Sequence, residues 1–354
     1  KTSYTFTNNQ IKKAKDGREL IATLPNLHVD KSTNALSTIN GKTIIIFINV
    51  IKATYDDLKI IPAEKNKNVE LYDVPPMRYI NDAENVVNIR TKSLDTGWSG
   101  NTYTTLGQMF SNASLALSYI KGDNKFTFHY GTHINMKRNI EDLETGRYIY
   151  QISDDNYVYD YIRKSQSWGY QHNVGFTYSR SKESNYDFQI KAFINTSNGK
   201  LNADKTIAFM QNEFQEERIG SLKDHTKSIV PTLDIYYSKI LPKNNSITFN
   251  LVGSYFDNEQ QTHSAETGST GFDDSMLINN QKKTLISEFI YDHKFSNANL
   301  SIGYRGHYNY LTNELTNSIS ADSHKERINT KRHYAYGEIS GKLKPFMYRV
   351  SLGI

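Results

Sequence analysis

The sequence predicts a mainly β protein, an antiparallel transmembrane β-barrel segment that follows a small α+β unit. Apolar and polar residues alternate strictly along the hairpin from Ala113 to Met136, and a period of two is typical of strands. The same pattern recurs four more times downstream. Short polar turns alternate with long polar stretches, as in outer-membrane barrels that have short periplasmic turns and longer extracellular loops.

Composition limits the class of protein. The chain has 354 residues and a formal net charge of only +5, so nothing in it requires nucleic acid as a partner. The absence of cysteine excludes disulfides and thiolate metal sites. The 25 tyrosines and the mean hydropathy of -0.63 fit a barrel, whose strands interleave polar and apolar residues. No run of about 18 apolar residues predicts a transmembrane helix. No signal peptide opens the chain, so Lys1 is expected to be an internal or processed start.

Residues 1–95 mix strand and helix signals and predict a first domain. Asp16 opens a short helix that Pro25 ends. The pair Asn40-Gly41 is a hairpin signal that leads into an apolar strand. The strands expected here are Thr5–Asn8, Thr43–Ile48, Val69–Val74 and Asn85–Thr91.

Residues 96–354 predict a second domain of eleven strands. Each arm has about ten residues, which is enough to cross the apolar layer of a membrane when the strand is tilted. Single-chain bacterial barrels have even strand counts, and the eleventh strand has no partner after it. Because an open edge cannot lie in lipid, the segment is expected to be the first half of a larger barrel. Short turns are expected near residues 123, 183, 243, 297 and 345, and long polar loops at about 138–165, 196–224, 257–280 and 311–328.

Within the first domain, one series of short motifs resembles the plug domain of TonB-dependent outer-membrane receptors in order and spacing, across roughly residues 4–92. The matching positions are Leu24-Pro25, Asn40-Gly41-Lys42, Ile48-Asn49, Asp57-Leu58, Pro62-Ala63, Val69-Glu70 through Pro76, Arg78-Tyr79, Asn85 to Ile89, and Lys92.

The resemblance implies a plug in residues 1–95 and a barrel of about 22 strands, of which residues 96–354 would supply half. It implies a receptor in the outer membrane of a Gram-negative bacterium that binds a scarce ligand outside the cell. TonB would then rearrange the plug, acting through a segment absent from this sequence. The implied partners are TonB, outer-membrane lipid and an extracellular ligand, which the sequence leaves open between siderophore, oligosaccharide and peptide.

Two groups of residues are candidates for ligand binding. The resemblance implies that basic plug residues meet acidic groups on the barrel wall, so Arg78 and Tyr79 are plug candidates, with Glu288 as a possible partner; a structural turn after Pro75-Pro76 is the alternative. In the first long loop, tyrosines could stack on sugar rings or aromatic ligands, and paired acids could contact a cation or sugar hydroxyls. These loop candidates are Tyr148, Tyr150, Tyr157, Tyr159, Asp154 and Asp155.

The other candidate metal-binding and catalytic residues give only weak signals. His129 and His133 share one face of a strand, but this spacing separates them by roughly 13 Å, too far to chelate one ion. The acid pairs Glu216-Glu217 and Asp273-Asp274 are interpreted as solvated loop charge. No catalytic motif appears, so we expect neither an enzyme nor a resident metal or cofactor.

Two other functional classes fit the same pattern. A structural or adhesive outer-membrane barrel would use its plug only as a seal. Val50-Ile51 and Asp82-Ala83-Glu84 favour that alternative slightly, because they stand where the family usually has glycine-rich or basic turns. A soluble carbohydrate-binding β protein would turn its apolar faces inward, since alternation alone does not say which face meets water.

Overall fold

The computed structural model describes residues 2–30, 35–39, 41–49, 51–53, 55, 57–58, 61–72, 84–92, 96–182, 185–269, 271–319, 323–343 and 346–354. These residues form a small N-terminal α+β unit and one large antiparallel sheet, with no strand shared between them. The mainly β fold class predicted from the sequence is confirmed.

The N-terminal unit is built on a sheet with the order β1-β6-β7-β4-β5, in which β4 and β7 are parallel. A separate pair, β2 and β3, lies beside it. The elements are β1 (Thr2–Tyr4), α1 (Asn8–Lys13), α2 (Gly17–Ile21), β2 (Leu27–Asp30), β3 (Ala35–Thr38), β4 (Ile44–Ile48), β5 (Ile51–Ala53), a 3-10 turn (Ala63–Lys65), β6 (Asn66–Tyr72) and β7 (Asn85–Thr91).

Local capping explains where the two short helices begin. Asp16 caps α2 by accepting a hydrogen bond of 2.9 Å from the amide of Glu19, which confirms the predicted helix. The strand expected at Thr5–Asn8 is wrong, because Thr7 instead starts α1. Thr7 and Gln10 form a capping box that satisfies free amides of the first helical turn.

The core of this unit is a single apolar cluster that the helix α2 covers. Ile21, Leu58, Val69, Val87 and Ile89 have no exposed surface. Val87 and Ile89 come from β7, which is central in the sheet and pairs with both β4 and β6. The predicted strand at Asn85–Thr91 is therefore confirmed.

The large sheet follows the chain in order. Its strands are β8 (Gly97–Thr105), β9 (Phe110–Lys121), β10 (Asn124–Asn135), β11 (Asp142–Ile152), β12 (Asp155–Lys182), β13 (Tyr186–Gln211), β14 (Phe214–Leu241), β15 (Asn245–Glu266), β16 (Phe272–Lys294), β17 (Ala298–Asn317), β18 (Ser323–Leu343) and β19 (Phe346–Gly353). Within the described residues, β8 to β19 without β11 form an eleven-stranded path, as predicted. Strand β11 lies off this path and pairs with the N-terminal part of β12, residues 155–165.

The long polar loops expected from the sequence are wrong. Strands β12 to β18 run for 20 to 28 residues. The residues expected to form loops are the parts of these hairpins that lie farthest from the short turns. Polar residues do not prevent pairing, since continuous antiparallel ladders satisfy every backbone donor and acceptor. The short turns expected near residues 123, 243 and 297 are confirmed, whereas residues 183–184 and 344–345, where two others were expected, lie outside the described part of the chain. We call the end of the sheet with the turns near residues 123, 243 and 297 the base, and the opposite end the tip.

Near the base the sheet has two chemically different faces. Leu117, Phe128, Phe176 and Phe249 lie on one face and are 39%, 39%, 49% and 40% exposed; we call this the outer face. Their polar neighbours point to the inner face, where Lys191 forms an ion pair with Asp57 of the N-terminal unit (Nζ–Oδ2 2.9 Å). The apolar side chains therefore do not converge on a shared dry interior.

The described helices offer no candidate membrane span, because none is both long and apolar enough to cross a bilayer.

The N-terminal core yields a direct stability prediction. Ile89→Ala removes a side chain with no exposed surface, so the unit should lose about 2–5 kcal/mol of stability. Hydrogen exchange of the β4 and β7 amides measures this loss. Ile39→Ala, at a position 65% exposed, is the matched control and should leave exchange unchanged; equal effects of the two variants would contradict the core assignment.

Candidate ligand-binding site

Five tyrosines line one face of the hairpin formed by β11 and β12. They are Tyr148, Tyr150, Tyr157, Tyr159 and Tyr161, and we call them the tyrosine ladder. Tyr148 lies opposite Tyr159 and Tyr150 lies opposite Tyr157, so the two strands place their rings in one row. All four tyrosines predicted from the sequence are thus brought together, and Tyr161 joins them.

The rings contact one another closely. Tyr150 and Tyr157 stack with centroids 5.1 Å apart and an interplanar angle of 5°. Tyr148 and Tyr161 stack at 5.7 Å and 16°. Because Tyr148 is 58% exposed and Tyr150 is 43% exposed, the ladder presents flat ring surfaces with hydroxyl groups beside them, which suit a sugar or aromatic ring.

The ladder lies on the inner face of the sheet. Thr177 of β12 pairs with Lys191, which contacts the N-terminal unit. Tyr157, Tyr159 and Tyr161 have the same parity along β12 as Thr177, and side chains alternate strictly between faces. The ladder is therefore on the same side as the N-terminal unit, but at the tip.

Side chains from β13, β14 and β15 lie beside the ladder and support it. Tyr159 donates a hydrogen bond of 2.7 Å to Glu266. The guanidinium of Arg218, a residue only 5% exposed, lies 3.7 Å above the ring of Phe209. Burial and the Glu266 carboxylate both raise the pKa of Tyr159, which therefore stays a neutral hydrogen-bond donor.

Glu216 connects two hairpin tips. It accepts hydrogen bonds from the amide of Ser269 (2.5 Å) and its hydroxyl (3.0 Å), and from Arg218 Nε (3.0 Å). Burial acts to raise the pKa of Glu216, but the bonds from Ser269 and Arg218 outweigh it and lower the pKa below its ordinary value. The β13–β14 and β15–β16 tips are thereby held together beside the ladder.

The two predicted acids have different roles. Asp155 accepts hydrogen bonds from the side chains of Gln211 (3.1 Å) and Asn212 (2.7 Å), so it joins the β11–β12 tip to the β13–β14 tip. Asp154 is exposed in the turn itself. The pair does not form one two-carboxylate site, and Asp155 is engaged within the protein.

The plug candidates Arg78 and Tyr79 lie outside the described residues. Within the described part of the chain, the ion pair seen between the N-terminal unit and the sheet has the opposite polarity to the expected one. It joins acidic Asp57 of the unit to basic Lys191 of the sheet. Glu288 lies opposite Arg305 of the neighbouring strand.

The other acid pairs do not lie in loops, as the sequence suggested, but near strand ends where neighbouring side chains alternate between faces. Glu216 points inward and Glu217 is exposed on the outer face. Asp274 accepts hydrogen bonds from Asn317 (2.7 Å) and Ser318 (3.0 Å). Among the described residues no group of three or more His, Asp or Glu side chains could hold a metal ion.

Sequence reasoning missed Tyr161, Phe209, Arg218 and Glu266 as parts of this site. Tyr161 follows Tyr159 by two positions, so a strand prediction there would have added it. The other three come from strands that appeared to be loops, and only the pairing of β12, β13, β14 and β15 brings them to the ladder.

Comparisons with known proteins gave matches only among solved structures. No protein-family model matches the sequence, and no curated protein matches it. The chain aligns with the ferric yersiniabactin uptake receptor FyuA from Yersinia pestis (TM-score 0.42, 11% identity, 99% of this chain and 63% of that one). It also aligns with the ferric citrate transporter FecA in unliganded form (0.38, 10%, 97% and 60%). A third match is P. aeruginosa FpvA bound to heterologous pyoverdines (0.42, 12%, 97% and 54%).

These structures are TonB-dependent receptors, the class that the sequence resemblance indicated. The chain spans less than two thirds of the length of each. With TM-scores below 0.5, the alignments carry no argument about function, so the site above rests on the residues of this chain.

The Glu216 contact predicts a pH dependence of the hairpin tips. A carboxylate with a lowered folded-state pKa stabilises the fold above its unfolded pKa, and this stabilisation is lost as the pH falls through the folded value. The protection factor of the Ser269 amide should therefore be constant above about pH 4.5 and fall at lower pH. Glu216→Gln should remove this dependence, whereas Glu217→Gln, on the opposite face, should keep it; a fall that survives Glu216→Gln would contradict the assignment.

Proposed function

We propose that the chain is part of a TonB-dependent outer-membrane receptor that takes up an extracellular ligand. Residues 1–95 are the plug and residues 96–354 are the N-terminal part of the barrel. The observation that supports this most directly is the division of one sheet into an apolar outer face at the base and a tyrosine-lined inner face at the tip.

The outer face supports the membrane location. Large apolar side chains on an exposed surface mark an interaction site, and a continuous band of them across neighbouring strands fits lipid. A soluble carbohydrate-binding protein would bury the same face, whereas Leu117, Phe128, Phe176 and Phe249 are all 39% exposed or more. This reading of the sheet, together with the resemblance of the first domain, supports a location in the outer membrane of a Gram-negative bacterium.

The inner face supports ligand binding and uptake. The Asp57–Lys191 ion pair positions the N-terminal unit against the inner face, where it would close the lumen. The tyrosine ladder lies on that same face at the other end, so a ligand held there would lie above the plug. Uptake would then require the plug to move, which is the step that TonB drives in the receptors this chain resembles.

The ligand class stays open between siderophore, oligosaccharide and peptide. Exposed tyrosine rings with adjacent hydroxyls favour a ligand that offers flat rings and hydrogen-bonding groups. This function is binding and transport rather than catalysis. A structural or adhesive barrel remains the rival, and TonB-dependent growth on the ligand separates the two: growth that does not require TonB would refute the transport proposal.

The ladder predicts a specific loss of ligand affinity. Tyr148→Ala combined with Tyr150→Ala removes two exposed rings, and the affinity for the ligand should fall about tenfold or more. Binding of ferric siderophores, oligosaccharides and peptides to the purified receptor measures this. Leu143→Ala with Ile149→Ala is the control, since these residues are 66% and 70% exposed on the other face of β11. Equal losses in both double variants would contradict the ladder as the binding surface.

The membrane location predicts face-dependent effects of charge. Phe176→Lys places a cation on the outer face near the middle of the apolar band, which should cost about 2–4 kcal/mol of stability in a bilayer. Thr177→Lys, one position along and facing inward, should cost far less. Heat-modifiable migration of the membrane-extracted receptor reports the folded fraction of each variant. Tolerance of Phe176→Lys would argue against contact with lipid.

A further inference from the structure

A groove crosses the outer face of β12 to β15 within the apolar band. It has a volume of about 530 Å³ and is lined by large apolar side chains, including Phe128, Phe176 and Leu233. Ala192 and Gly253 keep it open, because they are small residues in the midst of large ones. A Cβ atom placed on Gly253 would meet no described atom within 4 Å.

A second hollow of about 530 Å³ lies nearer the tip on β13 to β17, so it shares β13, β14 and β15 with the groove, and its lining includes basic side chains. Its outer-face residues include Lys200, Lys223 and His225, and Lys227 is the next outward residue along β14. The three lysines are exposed. None of them has an ion-pair partner within 4 Å among the described residues. We call Lys200, Lys223, His225 and Lys227 the lysine patch.

The register places the patch on the face that carries the groove. Lys200 lies opposite His225, and Ala192 lies opposite Leu233, in one unbroken ladder between β13 and β14. Leu233 of the groove and Lys227 of the patch are separated by roughly 20 Å along β14. The groove therefore lies within the apolar band, whereas the lysine patch lies beyond the roughly ten residues of each strand that span the membrane.

Among the described residues, the acidic side chains near the patch form no ion pair within 4 Å with its lysines. Glu259, opposite Lys227, accepts a hydrogen bond from Gln261 (2.8 Å). Asp224 points to the inner face and accepts bonds from Gln260 and Thr262. Asp273 lies 3.5 Å from His263. The exposed lysines are therefore accessible to a negatively charged group outside the protein.

We propose that this surface binds one phosphate-bearing lipid of the outer leaflet, with an acyl chain in the groove and the phosphate on the lysine patch. The inference rests on the proposed membrane orientation of the outer face. A free phosphate would use the patch alone, whereas a lipid uses both features, and their alignment on the same two strands favours the lipid. Lysine commonly binds phosphate, to which it presents a compact positive charge.

The pKa of His225, measured by NMR titration, reports whether a phosphate is bound at the patch. Burial lowers its pKa, and so does the positive charge of Lys227 and Lys200. A bound phosphate would offset that positive charge and raise the pKa of His225 back towards its ordinary value. The proposal is tested by measuring lipid binding to the membrane-extracted receptor and four variants of it in dodecyl maltoside micelles.

Phosphatidic acid in the micelles is the probe, and diacylglycerol, glycerol phosphate and inorganic phosphate are the comparison ligands. Lys200→Gln, Lys223→Gln and Lys227→Gln together should weaken phosphatidic acid binding at least tenfold and abolish the rise in the pKa of His225. The corresponding Lys→Arg triple should bind normally. Gly253→Phe fills the groove from open space, so it should weaken binding of phosphatidic acid but not of glycerol phosphate.

The charge-matched control is Lys121→Gln, Lys182→Gln and Lys239→Gln, three exposed lysines at the base. It should change phosphatidic acid binding less than twofold. Equal losses in the two Gln triples, equal binding of inorganic phosphate and phosphatidic acid, or no effect of Gly253→Phe would each overturn the lipid site. Release of the receptor without detergent would instead refute the membrane orientation, so a failure of the lipid site and a failure of the proposed function give different results.

Discussion

The structure depends on one constraint, the constant antiparallel register of the long strands. From β12 to β18 each strand keeps a single pairing offset from base to tip over the described residues. Backbone pairing continues along these ladders almost to the tip, with a gap at Val230 and Pro231 between β14 and β15, so the sheet extends well beyond the apolar band. Because side chains alternate with a period of two, a face defined at the base remains the same face at the tip.

This constancy assigns the two functional surfaces to opposite sides. The inner face carries the ion pair with the N-terminal unit near the base and the tyrosine ladder at the tip. The outer face carries the apolar groove and, farther along the same strands, the lysine patch. A shift of one residue in the register would exchange the two faces, so ligand binding and contact with lipid depend on the same hydrogen bonds.

Polar side chains link the hairpin tips to one another. Glu216, Asp155 and Glu266 each accept hydrogen bonds from a neighbouring hairpin. Carboxylates that make several such bonds fix the distance between tips and keep the ladder rings in one row. These three carboxylates therefore serve mainly to shape the binding surface, and the aromatic rings provide the contact area.

The sequence by itself determined the mainly β class, the eleven-stranded path, the short turns near residues 123, 243 and 297, and the four tyrosines, because alternation and turn chemistry are local signals. It did not determine that the polar stretches are strands, since alternation loses its contrast where both faces are polar. Helix α1 depended on a capping box that the strand prediction overlooked. Tertiary pairing decided that Arg218, Phe209 and Glu266 lie beneath the ladder. These residues come from three different strands, and only the register fixes which of their side chains meet.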